Sequence, residues 1–260
     1  QIENDKTEEI SEQEHLNLEK LFNQRILNSK ISVPDYSLKF NGSYSNSLAV
    51  ELKNFCKRPD LIINKILCIQ KYKKLETFEM PKIKDVVFFL HYQPELSTLP
   101  RGYEFAQQYN AIKILSYALP KDATLFVREH LGTFKNLCTW KERNREFYNQ
   151  ISSIPNVKIL SLERPSYEII NSCGTVATIS GTSAIEGLLR KKKVITFSPV
   201  GPYMFLNHVN LHKYQNFDKL KNFLIEKKLD TITLSDFSTN LNKFTISGFP
   251  ADENNQMSLN

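Results

Sequence analysis

The sequence predicts an α/β fold, a Rossmann-like doubly wound parallel sheet, for the part of the chain that follows residue 80. Short runs rich in β-branched and aromatic residues alternate there with longer segments of helical periodicity. Each run is apolar at consecutive positions, which is typical of strands covered by helices on both faces of a parallel sheet. We therefore expect a helical N-terminal segment over 1–80 and an α/β domain over 81–260.

The N-terminal segment has the apolar spacing of amphipathic helices. Residues 9–28 place apolar side chains such as Leu16 and Ile26 on one face, and residues 45–74 resume this spacing with a break at Pro59. We find no alternation typical of a strand in this segment. The sequence thus predicts a helical arm that packs against another part of the protein.

The α/β domain is predicted to contain five strands joined by right-handed helical crossovers. We expect the strands over 86–90, 124–129, 157–162, 175–179 and 193–198. The helices are expected over 103–119, 137–154, 166–172, 184–190 and 217–228, with a weaker one near 234–244. Ligands of such sheets bind outside the carboxyl ends of the strands. The polar residues that follow the strands are therefore the candidates for a site.

Two of these polar groups carry ionisable side chains. His91, Gln93 and Glu95 follow the first strand in the segment HYQPE and offer an imidazole, an amide and a carboxylate. A polar loop stiffened by proline is the alternative interpretation. Arg128, Glu129 and His130 follow the second strand, where they can act on a substrate or form a structural ion-pair cluster.

The third polar group lies where the run TVATI gives way to SGTS and then to a helix. A strand that opens a helix through Ser180, Gly181, Thr182 and Ser183 leaves unpaired backbone N–H groups that can bind an anion. An ordinary helix cap explains the same residues. Glu186 follows in the first helical turn, where it can bind ribose hydroxyls or act as a favourable charge at the helix start.

Several classes of site are disfavoured by the sequence. The first strand is not followed by GxGxxG, and GxxxxGK[ST] is absent, which argues against NAD enzymes and P-loop NTPases. His208 and His212 are four residues apart but lack a third ligand, so we expect surface histidines and no metal site. The run from Arg190 to Lys193 is best explained as a solvated helix end.

Composition indicates the compartment. The four cysteines form no CxxC pair and lie among apolar residues, so we expect buried thiols in a reducing compartment, the cytoplasm. The chain begins with Gln1 rather than Met, which suggests a fragment or a processed chain, and its acidic start is unlike a signal peptide. The net charge of +6 is spread along the sequence and gives a weak preference for phosphate or an anionic membrane surface.

The motifs, taken together, resemble the capsule polysaccharide biosynthesis family, bacterial glycosyltransferases with a GT-B-like fold. The resemblance extends over roughly 85–201 and keeps the order and spacing of the motifs. The matching stretches are FFLHYQPELSTLP (88–100), FAQQYNAIKILSYALP (105–120), LFVREH (125–130), FYNQISSIPNVKIL (147–160) and TVATISGTSAIEGLLRKKKVITFS (175–198). The resemblance implies the C-terminal, nucleotide-binding half of a GT-B enzyme.

Residues can be carried over from the family one position at a time. His91, Gln93 and Glu95 match its HYQPE segment, Gln108 matches a glutamine in the following helix, and Glu129 and His130 match its EH pair. The segment from Ser180 to Ser183, together with Glu186, matches (T/S)GT-x-x-x-E. The chain departs from the family at Leu131, where proline usually follows EH, and at residues 183–185, where Ala-Gly-Trp is frequent.

The resemblance implies transfer of a glycosyl group, hexosyl or related, from a nucleotide-activated sugar to a glycan or lipid-linked acceptor, without a metal or other cofactor. The catalytic candidates are His91, Glu95 and His130. The donor-binding candidates are Gln93, Gln108, Arg128, Glu129, Ser180, Gly181, Thr182, Ser183 and Glu186. If an upstream acceptor domain supplies the base, this chain can bind the donor without turnover.

Two other functions fit the same residues. A nucleotide-sugar epimerase can use the same fold and the same phosphate-binding edge. A non-catalytic assembly module of a capsule-export complex would bind its partners through the helical arm. We expect capsule assembly proteins as partners at the inner face of the membrane. We do not expect nucleic acid, because the sequence shows neither an aromatic-basic stacking surface nor a known nucleic-acid-binding signature.

Overall fold

A computed structural model describes residues 56, 58–95, 98–99, 102–135, 143–198, 209–210 and 217–226. The described strands are β1 (Glu76–Thr77), β2 (Val86–Phe89), β3 (Leu125–Arg128), β4 (Val157–Leu160), β5 (Thr175–Thr178), β6 (Lys193–Thr196) and β7 (Val209–Asn210). The described α-helices are α1 (Pro59–Leu75), α2 (Gln108–Ala118), α3 (Leu131–Lys135), α4 (Arg145–Ser152), α5 (Ser166–Ser172), α6 (Ser183–Leu189) and α7 (Phe217–Ile225). A 3-10 turn, Tyr103–Ala106, precedes α2.

The described strands form one parallel sheet in the order β1-β4-β3-β2-β5-β6-β7. From the central strand β2, the chain passes to β3 and β4 on one side, and later to β5, β6 and β7 on the other. This reversal of direction makes the crevice between the carboxyl ends of β2 and β5 the topological switch point, where ligands of open α/β sheets bind. The predicted α/β Rossmann-like parallel fold is confirmed.

Both faces of the sheet are buried, because successive side chains of a strand point to opposite sides. In β2, Phe88 joins the cluster under α1, α2, α4 and α7, whereas Val87 joins the cluster under α5 and α6. Val127 and Phe126 of β3 divide in the same way. This two-sided burial explains why the strands are continuous apolar runs rather than alternating ones.

The helix α1 is the described part of the predicted helical arm, and it packs on the sheet. Its Cys68 and Tyr72 are buried in the same apolar cluster as Phe88, and the Tyr72 hydroxyl donates a hydrogen bond to the Leu160 carbonyl. The strand β1 follows α1 directly and was not predicted, because a two-residue strand has no detectable pattern. The boundary near residue 80 remains a prediction.

The helix expected over 137–154 does not include residues 143 and 144, and residues 137–142 lie outside the described part of the chain. In the structure α4 begins at Arg145, because Asn144 has an extended backbone and its side-chain Oδ1 accepts a hydrogen bond from the Phe147 N–H at 3.0 Å. An asparagine in this conformation is a helix cap and separates α4 from the chain before it. The five-residue helix α3 was also not predicted.

Two of the four cysteines agree with the expectation of buried thiols. Cys68 and Cys173 are buried, and burial raises the pKa of the Cys173 thiol to about 12. Cys56 is exposed, which corrects the prediction for that residue. Cys138 lies outside the described residues, as do the helices predicted over 9–28 and 234–244. Among the described helices, none combines the length and the apolar character needed to cross a bilayer.

Candidate functional site

The switch point brings together the loop after β2 and the turn after β5. The His91 side chain lies between them and is buried. Its Nε2 is 3.0 Å from the Thr178 hydroxyl and accepts a hydrogen bond from the Ser180 N–H at 3.1 Å, while its Nδ1 is 2.6 Å from Glu95 Oε1. Two segments nearly 90 residues apart are therefore joined through one imidazole.

These contacts define the tautomer of His91. Because the Ser180 N–H can only donate, Nε2 must accept and the ring proton must lie on Nδ1, where it is donated to Glu95. The arrangement is that of an imidazole oriented by a carboxylate. Since its Nε2 lone pair is already engaged, His91 acts in this structure as a clamp on the turn after β5. Its predicted catalytic role stays a prediction.

Glycine is required at position 181 for this clamp to close. The Gly181 N–H donates to the Thr178 hydroxyl at 3.3 Å. A Cβ at this position would lie 2.8 Å from that hydroxyl oxygen and 3.2 Å from His91 Nε2. Both distances are shorter than ordinary carbon contacts, so any side chain here would push the turn away from His91.

The turn after β5 was predicted to offer four amides to an anion, and two of them are occupied. Ser180 N–H binds His91 and Gly181 N–H binds Thr178. Within the described residues, the N–H groups of Thr182 and Ser183 have no acceptor, and Thr182 makes no side-chain cap at the start of α6. The amides that remain for a ligand are thus those of Thr182 and Ser183.

Gln93 and Gln108 lie behind His91 and are both buried. The Gln108 amide accepts from the His91 N–H at 2.8 Å and donates to the His91 carbonyl at 3.1 Å and to Gln93 Oε1 at 2.8 Å. Gln93 Nε2 donates to the Ala106 carbonyl at 2.7 Å. These hydrogen bonds fix the backbone of the loop after β2. A donor-binding role for either glutamine remains a prediction.

Glu129 is at the centre of a buried network rather than at the surface. Its side chain is 0% exposed, and it accepts hydrogen bonds from the Tyr148 hydroxyl and the His130 N–H, each at 2.7 Å. Arg143 Nε lies 3.3 Å from Glu129 Oε2, and Arg143 Nη2 donates to the His91 carbonyl at 3.0 Å. Burial raises the pKa of Tyr148 well above its ordinary value, so this hydroxyl stays a donor.

His130 presents its ring to solvent at the same edge of the sheet. Its Nδ1 accepts a hydrogen bond from the Gly132 N–H at 3.0 Å, so Nε2 carries the proton in the neutral ring. No described residue binds that Nε2, and the Tyr92 ring centroid is 6.3 Å from the His130 ring. Desolvation by the surrounding protein lowers the imidazole pKa, although the side chain is exposed, and the carboxylates of Glu129 and Glu95 oppose this effect.

Arg128 and Glu186 complete the edge on the side of α5 and α6. Arg128 is buried and its guanidinium donates to the Ser166 hydroxyl and, at 2.7 Å, to the Arg164 carbonyl. Desolvation lowers its pKa to about 10, so the group stays charged at neutral pH, and its Nε has no hydrogen-bond partner. Partial burial raises the pKa of Glu186, while Arg190 and Arg128 act in the opposite direction.

Several residues that shape the site were missed in the sequence. Arg143 gives no signal, because a single cation in a polar stretch is usually exposed on a helix or loop. Tyr148 is buried, and the sequence gives no sign of its hydrogen bond to Glu129. Thr178 carries a hydroxyl at the end of an apolar strand, two residues before Ser180 of the SGTS turn, and this position could have identified it.

The described residues contain no group of three or more His, Cys, Asp or Glu side chains arranged to hold a metal ion. His208 and His212 lie outside the described residues. The polar groups at the carboxyl edge include backbone N–H groups, an imidazole and a guanidinium, beside the carboxylates of Glu95 and Glu186. The hydrogen-bond donors of this set suit an anion, and the carboxylates suit hydroxyl groups.

No protein-family model matches the chain, and no curated protein matches it in sequence. Solved structures similar to it include KpsC, a beta Kdo 2,4 transferase of Thermosulfurimonas dismutans, with 16% identity and a TM-score of 0.38. Anabaena HepE in complex with UDP-glucose has 18% identity and a TM-score of 0.40, and the glycotransferase of kitacinnamycin has 14% and 0.33.

The three similarities cover 64%, 77% and 64% of this chain, but only 55%, 48% and 40% of the respective solved chains. The chain thus spans about half the length of these proteins, or less. KpsC and the kitacinnamycin protein are described as transferases, and the HepE structure holds UDP-glucose. At these identities the likeness concerns the fold.

Proposed function

We propose that the carboxyl edge of the sheet binds a nucleotide-activated sugar and that the protein transfers its glycosyl group to an acceptor. The observation that carries the proposal is the arrangement at the switch point. His91 holds the turn after β5 beside β2, and the Thr182 and Ser183 amides lie on that turn, with β2 between it and Arg128 at the end of β3. Switch points of open α/β sheets bind nucleotides in this way.

Hydrogen-bond donors and a positive potential would together hold the diphosphate of the sugar nucleotide. The amides of Thr182 and Ser183 and the Nε2–H of His130 supply hydrogen bonds, while the buried Arg128 supplies positive potential. The Glu186 carboxylate has no hydrogen-bond partner among the described residues, so it can accept from the hydroxyls of the ribose.

The chemistry supported by this set of groups is departure of a nucleoside diphosphate from the anomeric carbon. Negative charge develops on the leaving phosphate in the transition state, and fixed hydrogen-bond donors stabilise it. His130 donates through Nε2 while neutral, so this interaction requires no protonation of the ring. The sequence resemblance to capsule polysaccharide glycosyltransferases supports glycosyl transfer and a glycan or lipid-linked acceptor, and a metal is not required.

Glu95 places a partly exposed carboxylate beside His91 at the carboxyl edge. Its side chain is 37% exposed, and its hydrogen bond to His91 Nδ1 orients one of its oxygens. We propose that Glu95 contacts the donor sugar or the acceptor hydroxyl. A general base can also come from an acceptor-side domain, as in GT-B enzymes, in which case this chain alone binds donor without turnover.

The test is a calorimetric titration of the chain with CMP, UDP and GDP, and with UDP-glucose. His130→Ala should weaken binding of the preferred nucleotide about 10- to 100-fold, because a hydrogen bond to a charged group contributes about 1.5–3 kcal/mol. His130→Gln keeps a side-chain N–H donor and should recover part of the affinity. Gln150→Ala, on an exposed position of α4, is the matched control and should bind like the wild type.

Failure of all four ligands to bind would contradict the proposal. Equal affinity of the wild type and His130→Ala would contradict the assigned position of the phosphates. Product analysis after incubation with a bound sugar nucleotide then separates the reactions, since an epimerised sugar nucleotide formed without acceptor would identify an epimerase instead of a transferase.

A further inference from the structure

The opposite edge of the sheet, where the strands begin, carries a second feature that the proposed function does not use. The loops that precede β3, β2, β5 and β6 lie side by side there, because these four strands are neighbours in the sheet. Strands are about 4.8 Å apart, so the four loops form a surface about 15 Å wide. We call this surface the basic edge, and its cationic residues are Lys82, Lys84, Lys121, Arg190, Lys191 and Lys192.

Cations outnumber exposed carboxylates along the basic edge. Asp122 is exposed and forms an ion pair with Lys84 at 3.3 Å, and Glu226 lies at the far end near the first residue of β6. Asp85 is buried, where its carboxylate accepts from the N–H groups of Lys82 and Thr124. The sequence distributes its charge evenly, but the fold gathers this part of it on one side.

An apolar side chain projects from the centre of the basic edge. Ile83 is 76% exposed and stands between Lys82 and Lys84. Its loop is held firmly, because a Cβ at Gly174 would lie 1.8 Å from the Ile83 carbonyl oxygen and the Asp85 carbonyl accepts from the Gly174 N–H. An isoleucine so exposed on a fixed loop gains nothing from packing within the described part of the chain.

An aromatic side chain lies on the same edge of the sheet. Tyr117, in the last turn of α2, is 70% exposed. That turn lies beside the beginning of β4, since Asn156 Nδ2 donates to the Ser116 carbonyl at 2.8 Å. Tyrosine is favoured at the boundary between lipid and water, because it has an apolar body and a polar tip.

We infer that the basic edge docks on the surface of an anionic bilayer. Lysines attract anionic headgroups, and an exposed aliphatic side chain between them can enter the boundary between headgroups and acyl chains. A nucleic acid would use the cations but would give Ile83 no apolar environment. Docking in this way keeps the carboxyl edge in water, so the inference does not depend on the proposed function.

The test is sedimentation of the purified chain with lipid vesicles. One set consists of phosphatidylcholine and the other of equal parts of phosphatidylcholine and phosphatidylglycerol. The protein should bind the anionic set, and binding should weaken as salt screens the lysines. Lys82→Glu/Lys121→Glu should lower the partition coefficient at least about 25-fold, since each lysine near such a surface contributes about fivefold.

Two further variants make the test specific. Ile83→Ser changes no charge. It should lower partitioning about tenfold, because the variant has no aliphatic side chain here to transfer from water into the bilayer. Lys113→Glu/Lys219→Glu makes the same charge change at exposed positions of α2 and α7, and should lower partitioning much less than the double change on the basic edge. Circular dichroism and thermal unfolding establish that each variant is folded.

Several outcomes would overturn the inference. They are equal binding to the two sets of vesicles, an equal loss in the control pair, and full binding by Ile83→Ser. Tight binding of a DNA or RNA oligonucleotide that is weakened by Lys82→Glu/Lys121→Glu but not by Ile83→Ser would assign the edge to nucleic acid instead. Nucleotide affinity, measured separately, should be unchanged in all of these variants.

Discussion

Replacement of Glu129 by glutamine tests whether this residue is part of the framework of the site. The carboxylate is fully buried and faces Arg143, whose side chain is 2% exposed, at 3.3 Å. In Glu129→Gln the new amide can still accept from the His130 N–H through one oxygen, but the second position can no longer accept from the Tyr148 hydroxyl. Arg143 is left as a buried cation without its counter-charge.

The expected loss of stability is about 3 kcal/mol, because removal of one partner from a buried pair costs about 3–5 kcal/mol and the glutamine keeps part of the hydrogen bonding. With a urea m-value of about 2 kcal/mol/M, the unfolding midpoint should fall by about 1.5 M. The control is Glu146→Gln on the exposed first turn of α4, which should change stability by less than about 0.5 kcal/mol.

A double-mutant cycle measures the interaction free energy between Glu129 and Arg143 separately from the cost of each single substitution. Glu129→Gln/Arg143→Met removes both charges, so the double variant should be about 2 kcal/mol more stable than the sum of the single changes predicts. A loss below about 1 kcal/mol in Glu129→Gln, or strict additivity in the cycle, would refute the view that Glu129 and Arg143 form a stabilising buried pair.

Three further predictions concern the switch point. His91→Gln keeps an acceptor for the Ser180 N–H, whereas His91→Phe does not. Amide hydrogen exchange at Ser180 should therefore be much faster in His91→Phe than in His91→Gln. Equal exchange rates in the two variants would argue against the clamp. Gly181→Ala should weaken nucleotide binding at least about tenfold with less than about 2 kcal/mol loss of stability, because its Cβ would press on Thr178 and His91; unchanged affinity would contradict this. The pKa of His130 is lowered in the free protein, and a bound diphosphate should raise it again. Binding should therefore take up protons, and it should weaken as pH rises from the His130 pKa of the free protein to that of the complex. Calorimetry in buffers of different ionisation enthalpy measures this proton uptake, and His130→Gln should abolish it.

The sheet could be predicted from sequence because burial on both faces requires consecutive apolar residues. VVFF and TVAT show this in its simplest form, and the structure places them in β2 and β5 at the centre of the sheet. The position of the polar groups followed from the same reasoning, since the carboxyl ends of parallel strands share one edge. His91 and Ser180 were therefore expected on one edge and are in contact.

The partners of these residues could not be predicted in the same way. Glu129 and Arg143 are 14 residues apart, and nothing in the stretch between them marks a buried cation. The clamp of His91 on Ser180 depends on a distance between two loops that periodicity does not give. A sequence pattern also does not show which backbone amides at the start of a helix already have an acceptor. Here the Ser180 and Gly181 amides donate to His91 and Thr178.

The central claim is the position of a nucleotide at the switch point, and the most direct measurement is a crystal structure of the chain with the nucleotide that binds most tightly. We expect the phosphates within hydrogen-bond distance of the Thr182 and Ser183 amides and of His130 Nε2, with the ribose beside Glu186. A nucleotide bound elsewhere, or phosphates that contact neither the turn after β5 nor His130, would contradict the account.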